Sequence, residues 1–600
     1  MSTTSQRIAF TSNVEQAIAN STLADLLHDA TQARNTLILK LRAEMDPTER
    51  QQLNNLQTLL KEQMDVAADL LASPDPPALW QSELRLYNTG GIITAHCAGF
   101  EVMCGDNFPT SAMLVTTRLT RECRRVYFRA MATGKFLALY GQAGTGKTET
   151  AKDITRILGR EPVVLSCSSE MTMADVEEAL ALVARYGPRT PVIFDEFNRL
   201  SPEMIAKLPE KVRGAGGWAC FTFNPRCSQR TPIPADVQAE FDSLAMTVPD
   251  FDPIASVMLG CEGFVSADDL GSQLNSLLRA AADGCSKQCH YDFGLRKLKA
   301  MVKAAGSQAR TVQYANEAAV VAGVCYESLH AMSIAADKPV VKALVEQHFR
   351  LPLEASALGY GEMLWQVLRS RHCGAMLGAL EEAEAAVRTT ADDMNVQVVS
   401  MGGTLAALSA EQLYADHGPL ATAIAHATAQ TNQEVWVLVQ AAAVDSAASA
   451  KFEALNTLMD DNKVLITQSG SRVELPCNVR IVFLLDNAQH LSPATVSRLG
   501  VVFVEGSSAT ACLLPSKPTI MVKTDFNGDK RRMSIDSLGA LTNAALELYG
   551  LSTVALKYQD DEGDYVTLQT DADFAEAMQL LEGHHLGDQV FKVSVGTCAK

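Results

Sequence analysis

The chain has 600 residues, of which 47% are apolar and 20% charged, with a formal net charge of −18. That length is too great for one core, so several domains are expected, and the composition excludes a chain disordered throughout. The acidic balance argues against general nucleic-acid binding. The start lacks a basic-plus-apolar leader and no run of 18 uninterrupted apolar residues suggests a membrane span, so a soluble intracellular protein is expected.

Fourteen cysteines are scattered without a paired framework, which fits a reducing compartment. Cys285, Cys289 and His290 in "CSKQCH" form one cluster, but a fourth ligand at zinc-site spacing is missing. Burial in a helical region is the better reading of that cluster.

In chain order, residues 13–72 have helical periodicity and predict two antiparallel helices. "DPTER" reads as a helix start, with Asp46 as cap, Pro47 at the first helical position and Glu49 completing a box-like arrangement. "ASPDPPALW" at 72–80 ends this region, because three prolines in four positions cannot sustain a helix. From about 110 to 250, short apolar runs alternate with amphipathic segments, which predicts an α/β domain. A mostly helical stretch follows to about 350. Residues 360–505 repeat the α/β style, with strands such as "EVWVLVQ" and "VRIVFLLD", and "GSSATACLLPSKP" at 506–518 reads as a linker.

The strongest chemical signal is "FLALYGQAGTGKTET" at 136–150. Gly141, Gly146, Lys147 and Thr148 satisfy the P-loop pattern, and Gly144 adds freedom for backbone amides to turn inward. Such a string arises by chance roughly once in 80 chains of this length, and the buried-strand run before it lowers that further. Lys147 is suited to the β and γ phosphates, Thr148 to Mg²⁺, and the following helix would point its positive end at the anion.

"PVIFDEFNR" delivers Asp195 and Glu196 at the end of an apolar strand, 48 residues beyond Lys147. Phosphoryl transfer needs such a pair, one acid for the metal shell and one to orient and polarise water. "WACFTFNPRCSQRTPIP" is another strand, ending at Asn224, the candidate polar sensor between γ phosphate and water. "HYDFGLRKLK" places Arg296 on a helix from which it could fold back onto the phosphates.

Taken in order, "GQAGTGKTET", "FDEFNR", "FTFNP", "MTVPD" and "HYDFGLR" resemble the first AAA+ module of dynein heavy chains. "LWQSELRLY" and "LVTTRLTRECRR" resemble the end of the dynein linker, and "ALNTLMDDNKVL" and "LSPATVSRLG" resemble the second AAA+ module. The resemblance covers roughly residues 10–505. It implies an α/β fold class: two tandem P-loop AAA+ modules with helical lids, at 101–345 and 346–505, after a helical linker remnant at 1–100. It also implies ATP and Mg²⁺ as ligands and the following roles. Gly141, Gly144, Gly146, Lys147 and Thr148 bind nucleotide, Thr148 and Asp195 hold the metal, Glu196 orients water, and Asn224 and Arg296 are the first and second sensors. Arg498 of "PATVSR" is the finger, donated by the second module to the first.

Three departures accompany the resemblance. Where the second module's P-loop belongs stands "MLGALEEAEAAV", whose acids would meet phosphate with negative charge, and "WVLVQAAAVDS" puts Gln440 and Ala441 where metal-binding acids belong. "PADVQAEFD" has Asp242 where the family has an arginine finger. The segment between "FDEFNR" and Trp218 is about one hairpin insert shorter than in the family. Neither the microtubule-binding stalk nor the remaining modules are recognisable, so direct microtubule binding is not expected, and the chain reads as a fragment of a motor joined to something else.

The tail at 519–598 resembles a Phox-and-Bem type (PB-one) domain, a ubiquitin-like β-grasp that pairs a basic face with an acidic loop. Lys523 matches the family's strand lysine, with Lys530, Arg531 and Arg532 beside it. Asp560, Asp561, Glu562, Asp564, Asp571 and Asp573 match the acidic motif. The implied partners are a second copy, another domain of this type, or other dynein components, in the cytoplasm with cytoskeletal or axonemal association. Two functions follow as expectations: a dynein-type ATPase, or an assembly protein in which the AAA+ pair binds ATP structurally.

Overall fold

The computed structural model describes residues 3–108, 111–142, 144–167, 171–185, 190–225, 231–311, 316–405, 407–429, 433–442, 446–460, 463–467 and 471–505, together with tail strands at 520–526, 529–535, 555–559, 565–568 and 591–596. Contacts divide the chain into two compact units, one holding most of residues 1–510 and the other most of 511–600.

The first unit starts with helices Thr3–Asn20, Leu23–Leu41 and Pro47–Ala72. This is one helix more than the periodicity predicts over 13–72, because Ser21 turns to a φ of 58° and breaks the first run. The start at "DPTER" forms as its residues dictate. The Asp46 carboxylate accepts from the Thr48 and Glu49 amides with Pro47 just inside the helix. Residues 85–103, expected to close a helical segment, instead form an antiparallel sheet of β1 (Arg85–Thr89), β2 (Ile92–Cys97) and β3 (Phe100–Met103). The reason is local: Gly90 and Gly91, then Ala98 and Gly99, all take positive φ, which makes two tight hairpin turns of the mirror-image kind.

A five-stranded parallel sheet follows, built from β4 (Phe136–Tyr140), β5 (Val163–Ser166), β6 (Pro191–Asp195), β7 (Trp218–Phe223) and β8 (Phe241–Ala245). Its order is β5-β6-β7-β4-β8. The central strands β6, β7 and β4 are nearly continuous buried runs, and Phe136, Phe194, Phe197, Phe221 and Phe241 pack ring against ring in the core. Five helices between Phe251 and Phe349 form the helical lid over an apolar core of their own.

The second sheet contains β9 (Cys373–Gly378), β10 (Gln397–Ser400), β11 (Val435–Ala442), a separate hairpin of β12 (Val464–Ile466) and β13 (Arg472–Glu474), then β14 (Val479–Leu485) and β15 (Gly500–Val504). Its order, β10-β11-β14-β9-β15, repeats that of the first sheet strand for strand, and all of its pairs are parallel. The second unit is a mixed sheet of β16 (Ile520–Phe526), β17 (Asp529–Ile535), β18 (Ala555–Gln559), β19 (Tyr565–Leu568) and β20 (Phe591–Gly596), with the two outermost chain segments β16 and β20 parallel. That is the β-grasp arrangement. No described helix is long and apolar enough to cross a membrane.

The N-terminal helices are tied to the first sheet's layer by buried charge. Glu62 binds Arg7 at 2.7 Å and Arg124 at 2.5 Å, and Arg124 lies 3.8 Å from Asp153 on the helix that follows β4. Burial alone would raise the Glu62 carboxyl, but Arg124 and Arg7 hold it well below the ordinary carboxylate range. Cys285 and His290 are buried, and the His290 ring pairs with the Met332 carbonyl at 3.1 Å.

Candidate nucleotide site

Residues 141–146 join β4 to the helix Lys147–Ile157. Gly141, Gly144 and Gly146 have φ of 153°, 80° and 83°, a region that L side chains rarely adopt. At Gly141 a Cβ would also stand 2.1 Å from the Met246 carbonyl oxygen, so glycine is needed for close approach as well as for conformation. Lys147 Nζ donates to the Gly141 carbonyl at 2.9 Å and the Gln142 carbonyl at 2.7 Å, which closes the loop over its own lysine. Burial lowers the Lys147 pKa, opposed by the charges of Asp195 and Glu196.

Strand β6 brings its two acids to the same end of the sheet. Thr148 Oγ1 donates to Asp195 Oδ1, and buried Thr222 donates to the same oxygen at 2.6 Å. Thr222 also accepts from the Glu196 amide at 3.1 Å, so one hydroxyl from the neighbouring strand sets both acids. Glu196 has a φ of 55°, sparsely populated for a residue with a Cβ, and its carboxylate ion-pairs with Arg199 one turn on. Asn224 follows β7 directly, and its carbonyl accepts from Asn198 Nδ2 at 2.8 Å. Gly141, Gly144, Gly146, Lys147, Thr148, Asp195, Glu196 and Asn224 therefore meet at the carboxyl ends of β4, β6 and β7, the edge where open parallel sheets bind ligands.

The two distant arginines lie together. Arg296, near the start of the lid helix Leu295–Thr311, donates to Ser497 Oγ at 3.2 Å. Arg498 follows the short helix Pro493–Val496, donates to the Ala494 carbonyl at 2.8 Å and lies 3.7 Å from Asp460. Burial and adjacent Arg296 lower its pKa, while Asp460 and Glu196 support its charge. Asp242 is held on β8 in a bidentate pair with Arg129 at 2.6 and 2.7 Å.

Residues 107–214 and 215–370 match the family model described as the hydrolytic ATP binding site of the dynein motor region. Residues 107–370 are thus similar to the dynein motor region. Residues 519–595 match the PB1 domain. The human "Dynein axonemal heavy chain 9" is 27% identical over 542 residues, covering 78% of this chain and 12% of the relative. The Chlamydomonas reinhardtii "Dynein-1-alpha heavy chain, flagellar inner arm I1 complex" is 26% identical over 533 residues, covering 77% of this chain and 11% of the relative. The chain therefore spans about an eighth or less of the length of these relatives.

In the corresponding part of the second module, β9 runs to Gly378 and the next helix starts at Leu380, so Ala379 alone stands where the dynein-type first module has its phosphate loop. Glu381 and Glu382 occupy that helix's first turn, and Gln440 at the end of β11 donates to Glu384 at 2.8 Å. In the PB1 domain, Lys523 stands opposite Arg532 on β17 and Lys592 on β20, while Arg531 stands opposite Thr524. Asp560, Asp561, Glu562, Asp564, Asp571 and Asp573 lie outside the described residues. Sequence reasoning passed over Thr222 and Arg199, although both sit inside quoted segments; a hydroxyl one strand over from an acid gives no signal until the strands are paired.

Proposed function

We propose that the first module binds Mg·ATP and hydrolyses it with Arg498 of the second module as finger. The observation that carries this reading is the meeting of Lys147, Thr148, Asp195 and Glu196 at one sheet edge, set by the loop carbonyls and by Thr222. The donor set fits the ligand. Positive-φ glycines turn amides inward, Lys147 supplies a cation, and Thr148 with Asp195 supplies hard oxygen ligands. Thr148 and Asp195 would hold Mg²⁺, whose chemistry is charge neutralisation on the transferred phosphoryl group. Glu196 orients and polarises the attacking water, and Asn224 fixes its position. Arg296 and Arg498 offset charge that develops in the transition state.

Arginine fingers contribute about 10³- to 10⁵-fold in rate in well-studied NTPases. Arg498→Ala is therefore expected to slow single-turnover hydrolysis by about 10³-fold with little change in ATP affinity, and Glu196→Gln serves as the chemistry-dead control. Equal turnover in Arg498→Ala and wild type would overturn the assignment. Hydrolysis would move the two modules relative to each other, and the likeness to axonemal heavy chains supports a cytoskeletal setting.

The PB1 domain is a protein-interaction module, and for it we infer head-to-tail assembly. Lys523, Arg532 and Lys592 stand at neighbouring positions on three strands, and they would supply the basic half of the contact, with the acids from Asp560 to Asp573 as its complement. A heterologous contact of this kind extends into chains unless it closes, and it weakens with salt. Lys523→Ala and the paired Asp560→Ala, Asp564→Ala variant should each be monomeric, while their mixture dimerises. A mixture that stays monomeric in ultracentrifugation would leave a different partner for the domain.

A further inference from the structure

The turn that carries Arg498 has little stability of its own. Its helix, Pro493–Val496, is one turn long, and a single turn fixes several dihedrals for very few hydrogen bonds. The amides of Arg498 and Leu499 both bond back to the Thr495 carbonyl, which closes the turn locally; a finger acts only if that short turn is itself aimed by what packs against it.

Arg371 supplies what the turn lacks. It ends the helix Tyr360–Ser370 just before β9, and its side chain is 12% exposed. Nη1 donates to the Ser497 carbonyl at 2.8 Å and to the Leu499 carbonyl at 3.2 Å, the two carbonyls that flank Arg498. Its other terminal nitrogen, Nη2, lies 4.0 Å from Asp292 Oδ2, a buried oxygen without a hydrogen-bond partner. Asp292 belongs to the "HYDFG" segment that leads into the helix of Arg296, and its other oxygen accepts from the Gly294 amide at 2.9 Å. Gly500 permits this approach. A Cβ there would stand 2.1 Å from Val367 Cγ1 and 3.3 Å from Arg371 Cδ.

We propose that Arg371 is a positioning residue for Arg498, a guanidinium clamp that holds the carbonyls on both sides of the finger and ties them through Asp292 to the lid of the first module. The proposal rests on the reading of Arg498 as finger. A planar guanidinium suits the task because one nitrogen serves both carbonyls while the other faces the carboxylate. A lysine ammonium reaches the carbonyls but not all three groups at once. Because Arg296 also bonds Ser497, the lid grips the finger turn at two points. A lid movement is thereby transmitted to Arg498.

The test compares wild type, Arg371→Ala, Arg371→Lys, Arg498→Ala and the Arg371→Ala, Arg498→Ala double variant in the full chain. Single-turnover ATP hydrolysis gives the rate, and a fluorescent ATP analogue gives the affinity. Arg371→Ala is expected to slow turnover about tenfold or more, the size expected for loss of charge-assisted hydrogen bonds, with analogue affinity unchanged within about twofold. Arg371→Lys should recover part of the rate, because an ammonium keeps the carbonyls but gives up Asp292. The double variant should be no slower than Arg498→Ala alone, because a clamp has no further effect once the finger is gone. Losses that multiply in the double variant, or full turnover in Arg371→Ala beside slow Arg498→Ala, would overturn the clamp and leave the finger standing. Full turnover in Arg498→Ala would overturn the finger and the clamp with it. If Arg371→Ala does not fold, Arg371→Gln, which keeps the stem and one donor group, carries the same comparison.

Discussion

The two parallel sheets have the same strand order, yet they end differently at the position where phosphate is bound. Between β4 and its helix lie residues 141–146 with three positive-φ glycines; between β9 and its helix lies Ala379 alone. At the end of β6 an acid receives two threonine hydroxyls, whereas at the end of β11 an amide binds Glu384, on the helix that follows β9. The sheets keep their shared architecture because its stability comes from buried apolar strands, such as Leu137–Leu139 in one and Val435–Val439 in the other. The phosphate loop adds nothing to that core. Its glycines carry conformational cost, so it can be lost without losing the fold.

Lys147→Ala gives the largest test of this contrast. It should reduce binding of a fluorescent ATP analogue from one equivalent per chain to none, since the second sheet offers no loop to take over. Two equivalents bound by wild type would remove the contrast altogether.

Gly141→Ala probes the loop's backbone. The new Cβ meets the Met246 carbonyl oxygen and the residue keeps a φ that costs about 1 to 3 kcal/mol. Calorimetry should show a lower melting temperature, and analogue affinity should fall about tenfold or more, because 1.4 kcal/mol is a factor of ten.

Thr222→Val keeps the side chain's shape and removes the hydroxyl that sets Asp195 and Glu196. Hydrogen bonds to charged groups contribute about 1.5 to 3 kcal/mol, so turnover should drop about tenfold or somewhat more. A titration of rate against Mg²⁺ should show the loss. Unchanged rate at every Mg²⁺ concentration would mean that Thr148 alone positions Asp195.

Gln440→Ala is the matching change in the second module and should do least. Gln440 is exposed and its bond to Glu384 is a surface contact, so the stability change should stay within about 0.5 kcal/mol. ATP turnover should match wild type. A clear loss of turnover would show that the second sheet's edge retains a role in the first module's chemistry.

Much of the candidate site was legible along the chain. Gly141 to Thr148, then Asp195 and Glu196, are short motifs in which neighbours in sequence are neighbours in space, so spacing alone carries the chemistry. The helix start at Asp46 was legible for the same reason, since a cap acts within three residues. The strands at 85–103 were legible in principle through Gly90 and Gly91, but the resemblance to a helical linker over 1–100 left no place for them.

The sequence by itself determined the phosphate loop, the acids at the end of a strand, the missing loop in the second module, and the two charge blocks of the tail. These are properties of local residue type and spacing, expressed in any chain that forms those elements. Only the tertiary structure decided that Thr222 sets both acids, that Glu62 joins Arg7 to Arg124, and that Arg371 grips the carbonyls on either side of Arg498. Those contacts join residues 26 to 128 positions apart. They depend on strand pairing and helix packing, which set distance in space independently of distance along the chain.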